Sequence, residues 1–293
     1  MVISMKIKEL LVQAVQYLKN KGVENNAVLD AQLILCHLLK VDKLYLTIHG
    51  LQDIDKDMVN EYMQLIEKRA EGMPVQYIIG EKEFMSLTFK VTKDVLIPRN
   101  DTETLVEYII DRYGNAENEM SIMDIGTGSG CIAVSLAYYL KSNVTAVDIS
   151  QNAIDIAKEN AKANGVESRI RFIQHDILQG FPGTVAGNSL DVIVSNPPYI
   201  RPEVIEQLQR EVKDYEPRLA LDGGADGLRF YRMIIRAAHE YLKDNGLLAF
   251  EVGHDQSRQV SSLIEETQQY KNIEIIKDLA GIERVVGAVK KGI

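Results

Sequence analysis

The sequence predicts an α/β protein: a mostly parallel seven-stranded sheet with an antiparallel last strand, preceded by a helical bundle and a linking β-hairpin. Three observations predict it. From about residue 101, short apolar runs alternate with helical patterns, which implies a parallel sheet covered on both faces. The last two runs are separated only by Leu279–Glu283, too short for a parallel crossover, so they should pair antiparallel. A glycine loop follows the first strand of this region and opens a helix, where open parallel sheets take their ligands.

The elements follow in order. Residues 1–73 read as helical. Ile7, Leu10, Leu11, Ala14, Val15 and Leu18 recur at helical spacing up to Gly22. Asn25 and Asn26 precede a second helix carrying Leu29, Leu33, Ile34, Cys36 and Leu38, and Asp55 can cap a third with Val59, Met63, Ile66 and Ala70. Gly72 and Pro74 end this pattern, and a small bundle that packs or recognises a partner is expected. Over residues 74–97, Tyr77, Ile78, Ile79, Phe84, Leu87, Phe89, Val91, Val95 and Ile97 favour short strands, read as a linking hairpin. Residues 98–293 form the third segment. Helices are expected over Thr102–Arg112, Cys131–Leu140, Asn152–Ala163, Leu228–Leu242 and Gln256–Thr267. Strands are expected over Ser121–Ile125, Val144–Asp148, Ile170–Gln174, Leu190–Ser195, Leu247–Val252, Ile273–Asp278 and Arg284–Val289.

Composition excludes several classes. The 293 residues are 46% hydrophobic and 26% charged, as in ordinary soluble domains. Net charge is −9, which disfavours a dedicated nucleic-acid binder but not a basic protein partner. Residues 1–73 are near neutral, with nine basic and ten acidic side chains, so the acidity lies in the C-terminal part. Two distant cysteines, Cys36 and Cys131, and five scattered histidines supply neither a disulfide framework nor a metal cluster. The opening run, interrupted by Lys6, Lys8 and Glu9, is not a signal-peptide core, and no run is long enough to span a membrane. A soluble cytoplasmic protein is expected.

The glycine loop is Asp124-Ile-Gly126-Thr127-Gly128-Ser129-Gly130. A dinucleotide fingerprint wants glycine five positions after the first; here that position is Cys131. The phosphate-loop pattern also fails, since no Gly-Lys-Ser/Thr follows. The spacing instead resembles the cofactor loop of class I methyltransferases that use S-adenosyl-L-methionine. The next strand ends in Asp148, placed to accept from ribose hydroxyls. Asp176 follows the third strand, where the same class places a carboxylate near the adenine amino group. Alone, each acid could equally cap a helix. Their order on successive strands favours a cofactor site.

Asn196-Pro197-Pro198-Tyr199 follows the fourth strand, on the same rim of the sheet. Such a loop suits a planar NH2 nucleophile whose lone pair is delocalised. The Asn196 side-chain carbonyl can accept one hydrogen and the Pro197 backbone carbonyl the other, which aims the lone pair at a methyl donor. The two prolines fix φ, and the Tyr199 ring can stack on the flat group. Alignment alone can supply substantial rate, since the sulfonium loses its charge in the transfer. Two substrate families remain open: an exocyclic base amine and a glutamine side-chain amide.

Over nearly its whole length the chain resembles the release-factor glutamine methyltransferases, the HemK/PrmC family. Gly72-Met-Pro74-Val-Gln76-Tyr77-Ile78-Ile-Gly80 resembles a family run, and Val95-Leu-Ile-Pro98-Arg99 continues it. Asp124 through Ala137, Glu216-Pro217 and Ala220 through Leu228 match further stretches, a set that base methyltransferases with the same tetrapeptide lack. The resemblance implies a class I, Rossmann-like methyltransferase. It further implies transfer of methyl from S-adenosyl-L-methionine to the glutamine amide of the Gly-Gly-Gln motif in class 1 peptide chain release factors. Asp124, Gly126, Thr127, Gly128, Ser129, Gly130, Asp148, Asp176, Ile177 and Asn196 would hold the cofactor. Asn196, Pro197, Pro198 and Tyr199 would hold the glutamine, with Asn196, Pro197 and Tyr199 acting in the transfer. No metal, nucleic acid or membrane is implied. The family's usual Pro-Glu after the Ile-Pro-Arg run is Asn100-Asp101 here, and its frequent aromatic after the adenine-side acid is Ile177. The competing readings are a ribosomal-protein glutamine methyltransferase, a DNA adenine amino-methyltransferase, a non-catalytic cofactor module and a nicotinamide oxidoreductase.

Overall fold

The computed structural model describes residues 5–114 and 118–292; the start of the opening run and the last residue lie outside them. The chain divides into two compact units, Met1–Glu81 with Gln209–Tyr215, and Lys82–Leu208 with Glu216–Ile293.

The smaller unit begins with β1 (Met5–Lys6), which pairs antiparallel with β2 (Asp53–Ile54). Between and after them stand α1 (Ile7–Asn20), α2 (Ala27–Leu39), α3 (Lys43–Ile48) and α4 (Lys56–Ala70). Ile7, Leu10, Ala14 and Leu18 of α1 are buried against Ala31, Ile34 and Leu35 of α2 and Tyr62 and Ile66 of α4, following the helical spacing of the sequence. The short α3 has no apolar repeat to announce it; the Asp42 carboxylate caps it by accepting from the Tyr45 amide. Tyr77, Ile78 and Ile79, expected in a strand, instead lie in α5 (Val75–Ile79). The Pro74 carbonyl accepts from the Tyr77 and Ile78 amides, and Gly80 ends the turn at φ +79°. Val75, Ile78 and Ile79 then share one helical face on the bundle core, and that packing overrides β propensity.

From Glu81, where the first stretch of the smaller unit ends, β3 (Glu81–Phe84) and β4 (Leu87–Lys90) form the expected hairpin, whereas Val91, Val95 and Ile97 lie buried in irregular chain. Its turn places Met85 and Ser86 at positive φ. Glu103 accepts from the Met85 amide and the Tyr139 hydroxyl donates to its carbonyl, holding a turn that glycine would ordinarily favour. The remaining elements, in order, are α6 (Asn100–Tyr113), β5 (Ser121–Ile125), α7 (Cys131–Leu140), β6 (Asn143–Asp148), α8 (Gln151–Ala163), β7 (Ile170–Gln174), β8 (Leu190–Ser195) and α9 (Pro202–Ile205). Next comes α10 (Arg210–Lys213), in the stretch that belongs to the smaller unit, where Glu211 and Asp30 both pair with the buried Arg69. The chain ends with α11 (Arg229–Tyr241), β9 (Leu242–Glu251), α12 (Ser257–Glu266), β10 (Tyr270–Lys277) and β11 (Glu283–Lys290).

The seven strands run in the order β10-β11-β9-β8-β5-β6-β7, and β11 is antiparallel to both neighbours. The sheet is buried on both faces. Ile122, Val192, Val194, Leu247 and Ala249 face one core with α6, α7, Phe84 and Phe89; Met123, Ile193, Leu248 and Phe250 face the other with α11 and α12. Strand β9 starts at Leu242, five residues earlier than expected. Leu242 is already extended, and Asn245, at φ +64°, carries the chain through a register shift before Leu247.

Asn160 of α8 ties the hairpin to the loop after β5. It accepts from the Lys90 amide at 2.7 Å and donates to the carbonyls of Lys90 at 3.0 Å and Ser129 at 2.8 Å. Asn160→Leu should cost about 3 kcal/mol in urea unfolding, because buried backbone groups lose their partners. A loss below about 0.5 kcal/mol would show that water replaces the side chain there.

Candidate active site

The chain reverses direction across the sheet at β5: β6 and β7 extend one way, β8 and β9 the other. Ile125 is in register with Val147 on one side and Ser195 on the other, and Ser195 with Phe250. The loops after β5, β6 and β8 and the end of β9 therefore meet on one rim, at the switch point where such sheets bind ligands.

The glycine loop is held from below. The Val147 carbonyl accepts from the Gly126 and Thr127 amides, and Asp124 accepts from the Thr127 hydroxyl at 2.7 Å. Gly126, Gly128 and Gly130 lie at φ +75°, +55° and +81°, conformations that side chains rarely adopt. A Cβ on Gly128 would meet nothing within 4 Å, so the loop opens onto space. One at Gly130 would stand 3.0 Å from the Ala157 Cβ, which explains glycine there as close packing against α8. Burial raises the Asp124 carboxyl to about 7, against the lowering effect of Thr127, with the Asp148 charge adding to the rise. Among the described residues its Oδ1 completes no hydrogen bond, although the Ala133 amide lies close enough to lower the pKa, and the buried Ser129 hydroxyl has the Cys131 thiol beside it.

Asp148 accepts from the Gly128 amide at 2.8 Å and the Ser150 amide at 2.9 Å. Burial raises its pKa while those amides and that of Ile149 lower it. Each oxygen keeps acceptor capacity for a diol. Asp176 accepts from the Leu178 amide and caps a 3-10 turn over Ile177–Gln179, while Ile177 is buried in the second core. Open space over a fixed glycine loop and a carboxylate with acceptor capacity fit a nucleoside bearing a polar tail. Cys131 packs against the first core, and desolvation pushes its thiol up to about 12, so it stays protonated.

The loop after β8 is braced from several sides. Ser195 donates to the Ile125 carbonyl at 2.7 Å. The Gln256 amide donates to the Tyr199 carbonyl at 3.1 Å and itself accepts from Gly253. Residues 223 and 227 must be glycine for steric reasons: a Cβ would lie 2.6 Å from the Tyr199 Cα and 2.4 Å from its carbonyl oxygen, respectively. Asn196 donates its side-chain amide to the Thr102 hydroxyl at 3.2 Å, and Thr102 donates to Glu251 at 2.5 Å. The Tyr199 hydroxyl donates to the other Glu251 oxygen at 3.4 Å. Glu251 is 1% exposed, and burial raises its pKa to about 7.

The structure thus brings Asp124, the three glycines, Asp148 and the Asn196–Tyr199 loop to one rim. Thr102, Glu251 and Gln256 are not singled out by the sequence, and Gly223 and Gly227 appear there only as part of the Ala220–Leu228 stretch, with no role. The available signal is a lone acid ending an apolar strand, Leu247-Leu-Ala-Phe-Glu251, on that same rim. The sequence departures near Arg99 are accommodated: Arg99 pairs with the buried Glu216 at 2.7 Å, Asp101 with Arg284 at 2.8 Å, and Asn100 accepts from Lys82.

Glycines spaced in alternation and a carboxylate on the adjoining strand, with Cys131 where a dinucleotide loop carries its third glycine, define a class I methyltransferase dependent on S-adenosylmethionine. Comparisons with known proteins narrow this. Residues 9–80 match the PrmC N-terminal domain and residues 116–291 a methyltransferase domain. A release factor glutamine methyltransferase of Clostridium acetobutylicum is 40% identical over 290 residues, covering 99% of this chain and 100% of its own. One of Fusobacterium nucleatum is 42% identical over 282 residues, covering 95% of this chain and 77% of its own. A solved methyltransferase from Pyrococcus furiosus shares the fold at a TM-score of 0.50 and 20% identity, covering 80% of this chain and 99% of its own. The chain belongs to the release factor glutamine methyltransferase family.

Two outcomes are expected from this geometry. Asp148→Ala should weaken binding of S-adenosylhomocysteine about 10- to 100-fold by calorimetry, as loss of charge-assisted hydrogen bonds requires; unchanged affinity would remove Asp148 from the site. Glu251 binds its proton more tightly folded than unfolded. Raising the pH from 4.5 to about 7 therefore costs stability, on the order of 3 kcal/mol once both states are ionised. Glu251→Gln should melt above the parent at pH 8 and converge with it near pH 4. A variant that melts lower at pH 8 would contradict the burial penalty.

Proposed function

We propose that this protein transfers a methyl group from S-adenosylmethionine to the side-chain amide nitrogen of the glutamine in the Gly-Gly-Gln motif of class 1 peptide chain release factors. The observation that carries the reading is the full-length kinship. It includes the helical region matching the PrmC N-terminal domain, which we read as the part that recognises the substrate. A basic, RNA-facing partner suits the −9 charge, and no contact with nucleic acid is needed. Among the described residues no helix is long and apolar enough to cross a membrane, which fits the cytoplasmic location expected of such an enzyme.

Asp124, Gly126–Gly130, Asp148, Asp176, Ile177 and Asn196 would hold the cofactor, which supplies an electrophilic methyl on a sulfonium. Asn196 Oδ1 and the Pro197 carbonyl accept the two amide hydrogens of the substrate glutamine and turn its lone pair outward. Pro197 and Pro198 keep that pair of acceptors rigid, so little reorganisation remains at the moment of transfer. Tyr199 offers its ring to the flat amide while its hydroxyl is held by Glu251. Desolvation and the Glu251 charge raise the Tyr199 pKa, so the phenol stays neutral. Neither acceptor takes up a proton; the nitrogen releases its own once methylated.

The test is labelled-methyl transfer to a recombinant release factor, to the same factor with the motif glutamine replaced, and to ribosomal proteins. Label dependent on that glutamine is expected. Label on ribosomal proteins alone would reject the substrate. Asn196→Ala should lower kcat by roughly 100-fold or more while S-adenosylhomocysteine affinity stays within about threefold; full turnover would reject the acceptor role.

A further inference from the structure

We propose that Glu251 is a positioning residue for methyl transfer: through the Thr102 hydroxyl it sets which end of the Asn196 side-chain amide faces the substrate nitrogen. The inference rests on the assignment of Asn196 as an amide acceptor.

A hydroxyl carries one hydrogen. That of Thr102 is directed to Glu251 Oε2 at 2.5 Å, so towards Asn196, 3.2 Å away, Thr102 can only accept. Asn196 must therefore turn its NH2 to Thr102 and its carbonyl oxygen the other way. No hydrogen bond from a described residue reaches that oxygen. It is left to accept from a substrate N–H. The opposite polarity follows if Glu251 holds a proton on Oε2, the oxygen that faces Thr102. The carboxylic acid then donates to Thr102, the Thr102 hydrogen turns to Asn196, and Asn196 must offer its oxygen inward and its NH2 outward. An NH2 facing a substrate NH2 sets two donors against each other. A proton on that one carboxyl oxygen thus decides whether the loop presents an acceptor or a donor.

The surroundings keep both states within reach. Burial and the Asp101 charge from α6 raise the Glu251 pKa; Thr102, Arg284 of β11 and Tyr199 lower it, leaving it at about 7. Asp101 and Arg284 are paired with each other, so their effects oppose. Tyr231 of α11 donates to the backbone carbonyl of Glu251, not to the carboxylate, and Cys131 of α7 stays a neutral thiol. The ionised, productive state holds above pH 7 and is lost as the pH falls through it.

The experiment compares the parent chain with Thr102→Val, Thr102→Ser, Glu251→Gln and the Thr102→Val/Glu251→Gln pair. Thr102→Val should lower single-turnover methyl transfer about 10- to 100-fold, with substrate KM and S-adenosylhomocysteine Kd changed by less than about twofold. Thr102→Ser, which keeps the hydroxyl, should restore the rate. The parent rate should fall about tenfold per pH unit below pH 7, and that limb should flatten in Glu251→Gln. In the double variant the two losses should be less than additive, because the effect of Glu251 on Asn196 runs through the Thr102 hydroxyl, and what remains is the loss of the Tyr199 contact. Independently of turnover, the Asn196 side-chain amide resonance of the cofactor-free protein should titrate near pH 7 in the parent and not in Glu251→Gln. Parent-like turnover in Thr102→Val, or the same titration in Glu251→Gln as in the parent, would overturn the proposal. If Asn196→Ala is slow while Thr102→Val is not, only this inference falls; if Asn196→Ala is also fast, the acceptor assignment falls with it.

Discussion

Ile125 lies opposite Val147 and Ser195, and the site depends on that register. A one-residue slip of β5 would exchange the faces of Ile122 and Met123 and empty both cores at once. Burial on two sides therefore fixes the register. The register in turn fixes where Asp124, Asp148, Asn196 and Glu251 emerge. The precision of the rim is a by-product of hydrophobic packing tens of residues away in sequence.

Polar groups on this rim are kept against their own preference for water. Asp124, Asp148 and Glu251 all have pKa values raised by burial. Each would be better solvated in the unfolded chain, so each subtracts from stability, and the two-faced core offsets them. What the protein gains is a set of acceptors that do not reorganise. The glycines at 223 and 227 belong to the same design, because they let one loop lie directly against the carbonyl of Tyr199.

Most of the sheet was legible in the sequence. Ser121–Ile125, Ile170–Gln174 and Leu190–Ser195 are bounded as expected, because short apolar runs between turn residues have little else to become. The short α5 was not legible, since Tyr77, Ile78 and Ile79 favour strands locally and only the bundle core makes them helical. The spacing of the glycine loop and the Asn-Pro-Pro-Tyr loop pointed to the rim. Their supports did not announce themselves: Thr102, Asn196 and Glu251 are distant in sequence, and no local pattern links a threonine in a helix to an acid ending a strand.

The most direct measurement is a structure of the chain with S-adenosylhomocysteine and a peptide carrying Gly-Gly-Gln at pH 8. The glutamine side-chain nitrogen should lie about 3 Å from both Asn196 Oδ1 and the Pro197 carbonyl, with the Asn196 nitrogen still on Thr102. A glutamine held elsewhere, or an Asn196 amide turned so that its nitrogen faces the substrate, would contradict this arrangement.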